Sequence, residues 1–237
     1  MNLQTQLPQL TFSLNTRHEA TFEYFYSGNN AEIVTQLKKT ASGHGEQMIY
    51  LHGTRGQGCS YLLQAACHYA SLHQLTSVYL PLTHLLTLSK EVLQGLESLS
   101  LICIDDLEAL VLDPSWEEAL FHLYNRIHDA GGHIIMAAHT LPQNLPLTLP
   151  DLVSRLSWGV VYAMRPLNDD EKLQVLAIHA DRRGIYLSDE AARYLLRHCP
   201  RHLRTLLSAL DVLDQASLAA KRGITIPFIK EVLEITA

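Results

Sequence analysis

A glycine-spaced turn between an apolar strand and an apolar helix limits the fold of this chain more than any other feature. Gln47-Met48-Ile49-Tyr50-Leu51-His52 reads as a short buried strand, and Tyr61-Leu62-Leu63-Gln64-Ala65-Ala66-Cys67 has the apolar spacing of a helix packed on a sheet. Between them, Gly53-Thr54-Arg55-Gly56-Gln57-Gly58-Cys59-Ser60 has the spacing of a phosphate-binding loop, with a cysteine where that loop carries its lysine. Glycines in such a loop let successive backbone N–H groups face the phosphates. The helix N-terminus adds partial positive charge, and the hydroxyl after the lysine holds Mg²⁺. Gly53, Gly56, Gly58, Cys59, Ser60 and Tyr61 are therefore the candidate nucleotide-binding residues, and Ser60 is a candidate Mg²⁺ ligand. Glycine turns also join strands to helices without any ligand, so the loop alone leaves its ligand open.

The flanking sequence extends the pattern. Ser77-Val78-Tyr79-Leu80 reads as a second strand, and leucine-rich sequence predicts helix from there through Leu96. The run Leu99-Ser100-Leu101-Ile102-Cys103-Ile104-Asp105-Asp106 is a buried strand ending in two aspartates. A phosphate site needs such a pair to hold Mg²⁺, usually through water, and to polarise an attacking water. This makes Asp105 the second candidate Mg²⁺ ligand. Residues 116–129 read as an amphipathic helix stopped by Gly131-Gly132, and residues 133–140 as another buried strand. Residues 158–164 make the last strand. Alternating strands and helices imply a parallel sheet whose ligand site lies at the C-terminal strand edge, where residues 53–60, Asp105, Asp106 and His139 would meet.

At Arg165-Pro166 the alternation gives way to helices only. Asn168-Asp169-Asp170-Glu171 has the form of a cap with a glutamate three residues on. Ser188 opens a second helix, a third runs from about His202, and Thr225-Ile226-Pro227 opens the last. The expected division is a flexible arm at residues 1–16, an α/β core at 17–165 and a four-helix lid at 166–237. Three or four aromatics before the loop, Phe22 and Phe25 among them, could wall a base pocket or fill core.

With 237 residues and an apolar fraction of 47%, the chain can bury a sizeable core. The formal net charge of −6 argues against gripping nucleic acid through a general basic surface, so direct sequence-specific DNA binding is not expected. Four cysteines without a C-x-x-C pair suit reduced thiols. The His198-Cys199-Pro200-Arg201-His202 cluster is broken by its proline and lacks a partner at metal spacing. No apolar run reaches the length of a membrane span and no signal peptide is visible, so a cytoplasmic location is expected.

Several motifs together resemble the AAA+ superfamily, specifically the nucleotide-binding region of the bacterial initiator DnaA and the shorter Hda-type regulators related to it. They are Leu149-Pro150-Asp151-Leu152-Val153-Ser154-Arg155-Leu156-Ser157-Trp158-Gly159, Leu123-Tyr124-Asn125-Arg126-Ile127, Leu203-Arg204-Thr205-Leu206 and Thr225-Ile226-Pro227-Phe228-Ile229-Lys230-Glu231. The resemblance covers nearly the whole chain. It implies an AAA+ P-loop NTPase-type parallel sheet core followed by a small C-terminal four-helix lid, without the initiator's DNA-binding helix-turn-helix domain.

The resemblance also implies roles. Arg155 falls where such proteins present an arginine finger to nucleotide on a neighbouring subunit; the competing reading is a surface arginine paired with Asp151. Arg201 matches the lid arginine that reaches back to bound nucleotide, and Phe22, Phe25 and Asn29 match the region that cradles adenine. Hda-type regulators carry a glutamine-led peptide for the DNA polymerase III β sliding clamp. Here Gln4, Leu7 and Pro8 follow one register, and a start at Gln6 with Leu7 and Leu10 is the other.

Three departures weigh against hydrolysis by the chain itself: Cys59 removes the loop cation, His139 replaces a small polar residue, and Asp106 replaces the glutamate of most AAA+ enzymes. The expectation is weak ADP binding, Mg²⁺ left open, with the chain acting on DnaA as a clamp-bound, nucleoid-associated regulator and a homo-oligomer left open. The alternatives are a self-sufficient ATPase of helicase-loader or transposition-helper type and a nucleotide-free adaptor.

Overall fold

The computed structural model describes residues 20–234, with Leu112 described by its backbone alone. In chain order the elements are α1 (Ala31–Ala41), β1 (Met48–His52), α2 (Cys59–Leu72), β2 (Ser77–Pro81), α3 (Leu82–Leu85), β3 (Leu101–Asp105), α4 (Ser115–Asp129), β4 (His133–Ala138), α5 (Pro150–Leu156) and β5 (Val160–Ala163). Four further helices follow: α6 (Asp169–Arg182), α7 (Asp189–His198), α8 (Leu203–Ala220) and α9 (Ile226–Val232).

All five strands are parallel, in the order β2-β3-β4-β1-β5. A strand buried on both faces must be apolar on both, and β3 obeys: Ile102, Cys103 and Ile104 are fully buried. One face of the sheet packs on α1 and α2 through Ile49, Leu51, Leu37, Leu62 and Leu63. The other packs on α4 and α5 through Tyr50, Ile104, Trp116, Leu123 and Leu156. Each fully buried leucine is worth roughly 1.5–3 kcal/mol. This order sets the C-terminal ends of β3, β4 and β1 side by side, so the glycine turn, the two aspartates and His139 emerge along one edge.

The lid has two small cores, one of Leu176, Leu206 and Leu210, the other of Leu195, Leu213, Phe228 and Ile229. The capping box at its start is complete: Glu171 N donates to Asn168 Oδ1 at 2.9 Å and Asn168 N to Glu171 Oε2 at 2.8 Å. Asn30 ties the core to the approach of the lid. Its Nδ2 donates to Arg165 O at 3.1 Å, and Arg165 N donates to its Oδ1 at 2.8 Å.

Two local expectations are corrected. Residues 82–96 form no continuous helix: α3 is a single turn, followed by 3-10 turns at Lys90–Leu93 and Leu96–Ser98. Ser89 starts a fresh turn by accepting Glu91 N, and Gly95 adopts φ +77°, so leucine spacing is overridden by local breakers. Strand β5 begins at Val160 rather than Trp158, because Trp158 N still donates to Arg155 O at the end of α5, leaving the indole 66% exposed.

Candidate functional site

Between the sheet edge and the lid lies a cleft of about 1040 Å³. The glycine turn forms its floor. Gly53 N donates to Ala138 O at 3.2 Å, fixing the turn's first residue to β4, and Leu62 N to Gly58 O at 2.9 Å opens α2. Gly58 has φ +97°, and a Cβ there would lie 2.9 Å from the Phe25 ring, so both backbone and space require glycine. No side chain caps α2. Its first-turn N–H groups are therefore left to a ligand or to solvent, and Gly53, Gly56, Gly58, Cys59, Ser60 and Tyr61 all line the cleft. This arrangement fits a nucleotide's phosphates: a cradle only glycine can form, at the start of a 14-residue helix, open to a cleft.

Cys59 supplies no charge to that cradle. Burial, then the negative field of Asp105, pushes its thiol up to about 12, so it is neutral at physiological pH. The strand-end aspartates are organised. Tyr79 Oη donates to Asp105 Oδ2 at 2.6 Å and Asp106 N to Asp105 Oδ1 at 2.9 Å, while Thr83 Oγ1 donates to Asp106 Oδ2 at 3.1 Å. Burial and the Asp105 carboxylate raise the Tyr79 hydroxyl well above its ordinary value, keeping it a donor. Ser60 and Asp105 both face the cleft, which suits a Mg²⁺ bound mainly through phosphate oxygens and water. Among the described residues no group of three or more His, Cys, Asp or Glu side chains is placed to hold a metal by itself.

His139 stands at the end of β4, between two charged groups. Arg55 Nε donates to its Nε2 at 3.1 Å, and its Nδ1 faces Glu108 Oε1, which also accepts His139 N at 2.9 Å. Arginine only donates, so His139 Nε2 is the acceptor and the ring proton lies on Nδ1, toward the carboxylate.

The expected contacts divide. Phe25 and Tyr61 line the cleft, with ring centroids 5.8 Å apart. Phe22 does not line it; it is 7% exposed, in core, edge-on to Tyr69 at 5.6 Å and beneath Lys38. Asn29 is exposed outside the cleft, and its neighbour Asn30 lines it instead. Arg201 is likewise not among the lining residues; its Nη1 pairs with Asp169 Oδ2 at 3.1 Å. The lid arginine that lines the cleft is Arg204, with Leu203, Leu207, Ser208 and Asp211 along one face of α8. Its motif was visible in the sequence, and the i, i+4, i+7 spacing from Arg204 to Ser208 and Asp211 was the signal that separates it from Arg201.

Arg155 lies on α5, away from this cleft. It pairs with no carboxylate among the described residues, and its guanidinium sits over Trp158 at 4.7 Å and over Tyr124 at 5.8 Å. Gln4, Leu7 and Pro8 lie outside the described residues.

The family described as the bacterial DnaA ATPase domain matches residues 14–163, more than half of the chain. The chain belongs to this family. A second match, to the lid domain of Hda, covers residues 169–233, the helical part of the structure. Together they make this an Hda-like, DnaA-related AAA+ protein with an Hda-type lid. An uncharacterised protein of Haemophilus influenzae is 39% identical over 99% of this chain and 100% of its own length. Domain III of the replication initiation protein DnaA from Thermotoga maritima superposes with a TM-score of 0.81 at 21% identity, covering 92% of this chain and 98% of that one. AMPPCP-bound DnaA from Aquifex aeolicus gives a TM-score of 0.68 at 22% identity, over 82% of this chain and 65% of that one. At these identities the structural likeness shows the fold: a five-stranded parallel AAA+ core with a helical lid. Among the described residues no helix is long and apolar enough to cross a membrane.

Proposed function

We propose that this DnaA-family protein regulates chromosomal replication initiation: bound to the DNA-loaded sliding clamp and holding ADP, it stimulates ATP hydrolysis by DnaA through Arg155. The observation that carries this reading is the separation of two half-sites. The cleft has the cradle for phosphates but a neutral Cys59 in place of the loop cation, while Arg155 is displayed away from it on an aromatic platform. A finger supplied in trans to a transferring phosphoryl group is worth about 10³–10⁵ in rate. The chain is then an activator rather than an enzyme, and ADP is the resident nucleotide because a diphosphate needs less counter-charge than a triphosphate. A DnaA of the same family binds AMPPCP, which supports placing a nucleotide in the corresponding cleft. The glutamine-led segment at Gln4, Leu7 and Pro8 is the part assigned to the clamp, which would bring the chain to the nucleoid.

The test measures ATP turnover by the purified chain alone, and then with ATP-loaded DnaA and clamp on DNA. Turnover only in the complete mixture is the expected result. Turnover by the chain alone, unchanged by DnaA, would identify a self-sufficient ATPase instead.

A further inference from the structure

A cleft that holds a diphosphate must balance its charge, and the loop residue that does so in most phosphate-binding loops is here a neutral thiol. Asp105 and Asp106 add negative charge on the same edge; a third acid facing the cleft, Asp211, is already paired with Arg183. Among the described lining residues the permanent cations are two, Arg204 from the lid and Arg55 from the loop itself.

We infer that Arg55 is the phosphate-binding cation that replaces the missing loop lysine, and that His139 and Glu108 hold it over the phosphate end of the cleft. This rests on the nucleotide reading above and deepens it. Arg55 is exposed, with one side-chain contact among the described residues, from Nε to His139 Nε2. The two Nη groups stay available as donors, in the fork geometry that matches phosphate oxygens. The contact also anchors the flexible side chain at one point, which lowers the entropy lost on binding. Glu108 acts through the ring: its carboxylate beside Nδ1 favours the proton there, which leaves Nε2 as the acceptor Arg55 needs. His139 and Glu108 are thus positioning residues, and Arg55 is the group that touches phosphate.

Calorimetric titration of the full chain with ADP and with AMP, without partner proteins, tests the assignment. Charge-assisted hydrogen bonds of about 1.5–3 kcal/mol correspond to about tenfold or more in affinity. Arg55→Ala should therefore weaken ADP binding by about that factor and leave AMP binding within about twofold. His139→Ala should weaken ADP binding by a smaller factor, again sparing AMP. Wild-type affinity for ADP in Arg55→Ala overturns the assignment while leaving the nucleotide site intact. Equal losses for ADP and AMP overturn it too, because they report damage to the cleft rather than loss of a phosphate contact. A wild-type chain that binds no ADP overturns both this inference and the nucleotide reading beneath it. Arg55 is exposed and fills no core, so the variant is expected to fold, which circular dichroism checks.

Discussion

At the scale of single residues, Cys59 and Arg155 mark the two ends of the account. Cysteine at a helix N-terminus is often activated, but here burial and two nearby carboxylates, Asp105 and Glu108, outweigh the helix and push the thiol up to about 12. A thiol raised in the folded state stays protonated until far above neutral pH. Iodoacetamide at pH 8 should therefore alkylate Cys59 much more slowly in the folded chain than after denaturation, as peptide mass mapping would show. Equal rates would mean that the neutral thiol is misdescribed. Trp158 is the residue to change beside Arg155. Its stacking is worth about 0.5–1 kcal/mol at an exposed site, so Trp158→Ala should shift stability by no more than about that. Stimulation of DnaA hydrolysis should fall several-fold nonetheless, because the guanidinium loses the platform that orients it. Unchanged stimulation with unchanged stability would remove that role.

At the scale of elements, α5 matters because it carries Arg155, and its start is held by a buried charge. Glu117 on α4 is 1% exposed and accepts Thr148 N at 2.9 Å and Leu149 N at 2.7 Å, the donors just before the first turn of α5. Glu117→Ala would remove the acceptor both N–H groups share and leave an empty, buried side-chain site on α4. A loss of about 3 kcal/mol is expected in urea denaturation, with stimulation of DnaA lost at temperatures where the variant is still folded. On α6, Asn168→Ala removes a cap on an exposed helix end and should cost about 1 kcal/mol, also read from urea denaturation. Elements were legible in the sequence wherever the pattern was strong. Strands β1, β3 and β4 stand as continuous apolar runs because a central parallel strand is covered on both faces, and the box at Asn168 and Glu171 needs only local spacing. What the pattern missed lies where phase or tertiary contact decides. Asn29 and Asn30 differ by one position in a 3-10 turn, Arg201 and Arg204 by three across the start of α8, and in each case the expected residue does not line the cleft. The leucines of residues 82–96 have helical spacing, but Ser89 and Gly95 break the run locally.

At the scale of the whole molecule, core and lid are separate packing units that share one cleft. The core supplies the glycine turn, the aspartates and the pair of Arg55 and His139; the lid supplies Arg204 from α8. The alternation of strands and helices put the loop and the aspartates together in the sequence reading, because parallel strands must present their C-terminal ends along one edge. The same reading brought His139 to that edge, but not its particular contact with Arg55, which depends on the direct pairing of β1 with β4 across 84 residues of sequence. The same architecture sets Arg155 away from the chain's own cleft, and this is the central claim: the chemistry it controls takes place in a partner's loop. Single-turnover release of phosphate from labelled ATP preloaded on DnaA measures this most directly, after adding the ADP-bound chain and clamp on DNA. The account predicts rapid release with the wild-type chain and a return to the rate of DnaA alone with Arg155→Ala. Release at the same rate with both forms would contradict it.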